Sequence, residues 1–177
     1  MHNPWKTLSS RTVYQNRWIT VREDQVITPA GTAGIYGVVQ AAHATGIVAL
    51  TSNAEVYLVG QYRYSMEEYS WEIVKGGANP GESPLEAAKR ELREEIGMSA
   101  ASFEPLGAEV HLSNCFTNER AYFFLARELS NVGAAPEETE KLEIRTLKLE
   151  KCLEMADSGE IKDAMTIIAL QRAAKAL

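Results

Sequence analysis

Five glutamates crowd one short segment of this chain, at positions 82, 86, 91, 94 and 95, with Arg90 among them. On a helix advancing about 100° per residue, Glu91 and Glu95 stand about 40° apart, so their carboxylates emerge side by side. Both border an apolar stripe, which brings them out beside whatever the stripe packs on, while Glu94 sits further round, near Arg90. Like charges held this close repel, and partial burial raises their pKa values unless a cation compensates. Arg90 is expected to compensate one carboxylate at most. Hard oxygen donors too few to complete a coordination shell suit Mg2+ or Mn2+, whose remaining sites go to water and phosphate oxygens. A glutamate-rich helix is more often a solvated charged face, so the surrounding pattern has to decide between the two.

The elements that would hold these residues are legible. Ser83 and Glu86 have the spacing of a capping box, Pro84 falls at the first helical position, and Gly97 is suited to the C′ position. Between them Leu85, Ala88, Leu92 and Ile96 recur at three- and four-residue steps, the apolar stripe of a helix lying on a sheet. The preceding Lys75–Glu82 segment, with Gly76, Gly77, Pro80 and Gly81, reads as a loop. Residues 11–75 read as strands. They include Gly34–Val39, returning after a Pro29-Ala30-Gly31 turn, then Ile47–Leu50 and Val56–Val59 around the Thr51–Ala54 turn. Further strands are expected near Leu106–Leu112 and Ala121–Ala126, then a loop over Asn131–Glu140, and two helices, Leu149–Asp157 and Ile161–Ala176, separated by Gly159. No repeat or linker divides the chain, so residues 1–177 are read as one mixed α/β domain.

The glutamates belong to a longer spacing: Gly76, five residues, Glu82, seven residues, Arg90-Glu91-Leu92, one residue, Glu94-Glu95, one residue, Gly97 and Met98. Its seven Gly, Arg and Glu identities, at roughly 7% each, meet by chance somewhere in such a chain on the order of once in a million. In this stretch, residues 76–98, the sequence resembles the Nudix hydrolase family at every defining position. The resemblance implies an α/β/α sandwich with a mixed sheet, the matching stretch forming a loop-helix-loop, and divalent-metal-dependent cleavage of a nucleoside diphosphate linked to another group. By position it implies Glu91 and Glu95 as principal metal ligands, Glu94 as a further ligand or supporting partner, the Gly76 carbonyl as a backbone ligand, and Arg90 as the group orienting carboxylates through Glu82 or Glu94. The metal is expected to be Mg2+, with Mn2+ as the alternative. A base is sought among Glu137, Glu138 and Glu140, because related ADP-ribose enzymes draw a catalytic glutamate from such a loop; Glu138 is favoured, then Glu140.

Features across nearly the whole chain resemble the branch that acts on ADP-ribose and nucleoside diphosphate sugars. Gln61-Tyr62-Arg63 ahead of Trp71-Glu72-Ile73 looks like that branch's strand pair, with Arg63 meeting substrate phosphate and Glu72 holding substrate or metal. Residues 1–40 look like the branch's extra hairpins, which build a homodimer, and Trp18 or Tyr14 is placed to stack on a nucleobase. Ser158–Ala164 also resembles the branch, in a structural role. Two positions depart from it. Val74-Lys75 stands where Pro is usual, and Asn114 stands where the ADP-ribose enzymes often carry Pro. ADP-ribose, giving AMP and ribose 5-phosphate, is the first substrate expected, with other sugar nucleotides open. The alternatives are a nucleoside triphosphate or RNA 5′-end pyrophosphohydrolase, and a non-catalytic sensor of ADP-ribose or sugar nucleotides. A sensor would be expected to have lost one of the glutamates, and none is lost.

Composition narrows the field further. The chain has 177 residues, 45% hydrophobic and 24% charged, with 18 Lys and Arg against 24 Asp and Glu for a net charge of −6. That balance disfavours nucleic acid and anionic membrane as partners and leaves a small nucleotide-sugar. Cys115 and Cys152 fit no metal spacing and are read as small buried apolar residues of a reducing compartment. With no apolar run near the roughly 18 residues of a membrane span and no leader-like start, the expected location is the cytoplasm.

Overall fold

The computed structural model describes residues 2–133 and 142–177. They form two compact units, one comprising the chain up to Ala42 together with His111–Arg120, the other comprising His43–Val110 and Ala121–Leu177.

In the first unit β1 (Lys6–Gln15), β2 (Ile19–Ile27) and β3 (Ala33–Ala41) make an antiparallel sheet in that order. The β2–β3 turn falls on Pro29-Ala30-Gly31 as expected, closed by Gly31 N–H donating to the Thr28 carbonyl at 2.9 Å. Gly31 has φ +82°, a conformation that a side chain resists. The sheet begins at Lys6, before the expected start, and every residue of β1 is exposed. The 111–120 segment is tied to β3 by Val39 N–H to the Phe116 carbonyl at 2.7 Å and by Tyr36 Oη–H to the Cys115 carbonyl at 2.6 Å. Cys115 itself is exposed, against expectation, because its turn lies on the surface; Cys152 is buried, and burial pushes its thiol up to about 11.

The second unit contains β4 (Ala44–Ala49), β5 (Glu55–Arg63), β6 (Glu68–Glu72), β7 (Val74–Gly77), α1 (Pro84–Ile96), β8 (Met98–Pro105), β9 (Val110–His111), β10 (Arg120–Asn131), β11 (Glu143–Lys148), α2 (Leu149–Ser158) and α3 (Ala164–Ala176). One sheet runs β7-β4-β10-β8, with β4 and β10 parallel and the outer pairs antiparallel; a second runs β11-β5-β6. Side chains alternate across a strand. Ile47, Ala49, Phe124 and Ala126 therefore join Ala88, Leu92 and Ile96 of α1 in one core, while α3 packs on β4 from the other face. This is the mixed α/β layering expected.

Three local expectations are corrected. Leu85 is 37% exposed, so the buried stripe of α1 comprises Ala87, Ala88, Leu92, Glu95 and Ile96. Of the strand expected at Leu106–Leu112 only the two residues of β9 form, pairing with β10, and an unexpected longer strand, β8, stands directly after Gly97, antiparallel to β10. Its Met-Ser-Ala-Ala-Ser-Phe-Glu-Pro sequence suits an edge strand, where small and polar residues and a proline are tolerated and the apolar alternation is faint. The last helix starts at Ala164, because the Asp163 carboxylate accepts from Thr166 N–H at 2.8 Å and caps it. β11 carried no sequence signal, its Ile144 being exposed.

Candidate active site

The capping box at the start of α1 is complete: Glu86 N–H donates to Ser83 Oγ at 3.3 Å and Ser83 N–H to Glu86 Oε2 at 2.9 Å. At the other end Gly97, at φ 68° and ψ 25°, turns its N–H back to the carbonyls of Leu92 and Arg93. With both ends fixed, the carboxylates along the helix have a defined place relative to β7.

Glu95 is only 5% exposed, and its Oε2 accepts from Lys75 N–H at 3.2 Å. Glu91 lies against Gly76 so closely that a Cβ at position 76 would overlap its carboxylate. The glycine is thus needed for approach to the backbone, since its own conformation is ordinary. Arg90 does more than expected. Its guanidinium donates to Glu82 at 3.0 Å through Nε and again through Nη2, to Glu91 at 2.7 Å and Glu94 at 2.8 Å through Nη1, and to the Gly77 carbonyl at 2.8 Å. Five donors in one planar fork let a single cation serve three carboxylates and anchor them to the loop. Glu82 also accepts from Asn79 N–H at 2.8 Å. The bond to Glu82 first, then those to Glu94 and Glu91, raise the Arg90 pKa further above its ordinary value; the same guanidinium lowers that of Glu82.

A second charged cluster adjoins the first through Lys75. Arg63 Nε and Nη2 form a two-pronged pair with Glu72, which is 1% exposed. Lys75 Nζ reaches Glu72 at 3.0 Å and Asp163 at 2.6 Å. Burial alone would raise the Glu72 pKa, but the hydrogen bonds from Arg63 and the nearby Lys75 charge outweigh it and hold the carboxyl at about 2. Glu72 is therefore an anion bound to two cations. Neither Lys75 nor Asp163 was read as a site residue. The Lys75 departure from the branch pattern and the capping position of Asp163 were the signals available in sequence.

These residues fit a divalent cation. All the donors are hard oxygens, the Gly76 backbone forms a cradle that a side chain would fill, and Glu95 is a buried carboxylate beside it. Among the described residues no group of three His, Cys, Asp or Glu side chains is arranged as a ready-made metal site. Two carboxylates and a main-chain carbonyl form a partial set, completed by water and phosphate in sites of the Mg2+ kind. Trp18 and Tyr14 belong to the first unit and are exposed, with the Arg17 guanidinium 4.0 Å over the Trp18 ring. Glu137, Glu138 and Glu140 lie outside the described residues.

Fold and site together define the class, an α/β protein whose capped helix presents carboxylates for a divalent cation. The chain belongs to the Nudix family, whose hydrolases use divalent metal; the NUDIX domain model matches residues 41–166. The model of a nucleoside diphosphate sugar hydrolase N-terminal domain matches residues 5–39. An ADP-ribose pyrophosphatase of Bacillus subtilis (strain 168) is 32% identical over 168 residues, covering 94% of this chain and 90% of its own. An ADP-ribose pyrophosphatase of Mycobacterium tuberculosis is 34% identical over 130 residues, covering 73% and 62%. A solved structure of an ADP compounds hydrolase, 22% identical, superposes with a TM-score of 0.83 over 97% of this chain and 92% of that one, a likeness of fold. No helix among the described residues is long and apolar enough to cross a membrane.

Proposed function

We propose that this chain hydrolyses the diphosphate linkage of nucleoside diphosphate sugars, with ADP-ribose as first substrate and AMP and ribose 5-phosphate as products, and that Mg2+ is its metal. The observation carrying this reading is the placement of the Glu91 and Glu95 carboxylates against the Lys75-Gly76 backbone, with Arg90 gathering Glu82, Glu91 and Glu94 around them. The N-terminal model match and the relatives supply the substrate class.

In this reading Glu91, Glu95 and the Gly76 carbonyl hold the cation, with Glu94 as a further ligand. When bound, the metal neutralises charge on the non-bridging phosphate oxygens and lowers the pKa of water. Arg90 keeps the Glu82, Glu91 and Glu94 carboxylates oriented. Arg63, whose Nε and Nη2 are committed to Glu72, offers its Nη1 to a substrate phosphate, and the buried Glu72 sets the angle of that guanidinium. A base takes a proton from the attacking water; Glu138, then Glu140, is assigned this role. Trp18 stacks on the nucleobase. The fully exposed β1 and the exposed Leu8, Val13 and Ile35 support a second copy as the partner of the first unit. Such a homodimer would act in the cytoplasm on a small molecule.

The reading is tested by incubating the protein and Mg2+ with ADP-ribose, ADP-glucose, GDP-mannose, UDP-glucose, NADH, dinucleoside polyphosphates and nucleoside triphosphates, and identifying products by chromatography. Cleavage of ADP-ribose to AMP and ribose 5-phosphate is expected. Turnover of triphosphates alone would overturn it, and tight binding of ADP-ribose without cleavage would point to a sensor.

A further inference from the structure

A cavity of about 400 Å3 opens between the β5–β6 hairpin and the start of α3, within the volume range of small-molecule sites. Register explains its lining. Arg63 pairs with Glu68, and Glu68, Ser70 and Glu72 project from one face of β6 at two-residue steps. Lys75 enters from β7, and Lys162 and Asp163 from the segment before α3. Three cations and three carboxylates meet there, and each cation is engaged: Arg63 by Glu72, Lys75 by Glu72 and Asp163, and Lys162 by Glu68 at 2.7 Å. The formal sum is zero.

We infer that this cavity takes the sugar half of the substrate and selects sugars that carry no charge, with the Glu68–Lys162 pair as the selecting element. The inference rests on the nucleoside diphosphate sugar reading. Ionised groups recognise neutral hydroxyls well, because one hydroxyl both donates to a carboxylate and accepts from an ammonium or guanidinium. Ser65 and Ser70 add two more hydroxyls, and Met66 an apolar surface for the C–H face of a ring. A sugar bearing its own carboxylate or phosphate would break a pair that is already balanced and leave one partner uncompensated. The cavity also adjoins the carboxylate helix, since Lys75 contributes its ammonium to the cavity and its backbone N–H to Glu95. A sugar seated there lies next to the diphosphate that Arg63 would meet.

UDP-glucose and UDP-glucuronate differ only at C6, where a hydroxymethyl becomes a carboxylate. We expect wild-type kcat/KM to favour UDP-glucose by at least about tenfold. Glu68→Gln leaves the cavity one positive charge in excess and should narrow that ratio by about fivefold or more; Lys162→Gln, which leaves one negative charge in excess, should widen it by a similar factor. Both side chains are at the rim and partly exposed, so the variants are expected to fold, and a purely structural role would not shift the ratio in opposite directions. Equal hydrolysis of the two sugars by wild type, or shifts of the same sign in both variants, would overturn the inference while leaving the hydrolase reading intact. Absence of turnover of either sugar nucleotide and of ADP-ribose would overturn that reading, and this inference with it.

Discussion

The Glu91 carboxylate rests directly on the Gly76 main chain, in space that the Cβ of any other residue would occupy. Fifteen positions apart in sequence, the two residues form one close contact between a carboxylate and the main chain. Gly76→Ala should push Glu91 aside and lower kcat by at least about 100-fold, the scale on which misplacement of a reacting group by about an ångström acts. Circular dichroism should show the fold retained. Near-normal turnover in the alanine variant would mean that Glu91 has no need of its place against the backbone.

Glu91→Gln and Glu95→Gln keep side-chain shape and, at position 95, an oxygen that can accept from Lys75 N–H. Each is expected to lower activity by about 100-fold or more, beyond what loss of an outer partner of a metal ligand does. Calorimetric titration with Mg2+ should show weakened binding, with melting temperature changed by a few degrees at most. Activity within threefold of wild type in both, about 0.6 kcal/mol, would remove them from the metal site.

Glu72 predicts a pH dependence of stability. Its folded pKa of about 2 lies below the ordinary 4.5, so the unfolded chain takes up its proton first as pH falls. The contribution is fully present above about pH 4.5 and is lost progressively towards pH 2, and its size is on the order of 3 kcal/mol. Urea unfolding of wild type and Glu72→Gln between pH 7 and pH 3 isolates it. The variant should be less stable at neutral pH, because Arg63 and Lys75 lose their anion, and its stability should fall less steeply with acid. Parallel curves would show that Glu72 is not the group responsible.

Asn114 sits in a turn where Phe116 N–H and Thr117 N–H both donate to the Ser113 carbonyl, at 3.2 and 3.1 Å. Pro is favoured at the second position of such a turn. Asn114→Pro should therefore be tolerated, with a small change in melting temperature. It should raise kcat/KM for ADP-ribose relative to ADP-glucose on the order of threefold to tenfold. An unchanged ranking would remove position 114 from substrate selection.

The carboxylate helix was legible residue by residue because its determinants are local. A Ser83–Glu86 capping box, Pro84 and Gly97 each act within one turn of chain, and helical spacing alone puts Glu91 beside Glu95. The count of partners for Arg90 was not legible. Glu94 is one turn away, but the Gly77 carbonyl comes from the end of β7 and Glu82 from the loop that follows it, and the place of both beside the helix depends on β7 pairing with β4. The faint alternation of β8 misled for the opposite reason: an edge strand is fixed by the backbone of its neighbour more than by its own side chains.

The sequence by itself therefore determined the helix, its two caps, the carboxylates along it and the family to which they belong, since all of these are written in short-range spacing. Only the tertiary structure decided what faces that helix. Lys75 and Asp163 stand 88 positions apart and form an ion pair at 2.6 Å, and Glu72 becomes a buried anion only because Arg63 and Lys75 arrive from two other strands. No local propensity encodes such a meeting. It follows from which strands pair and in what register, and that register turns scattered charges into a balanced cavity beside the carboxylates.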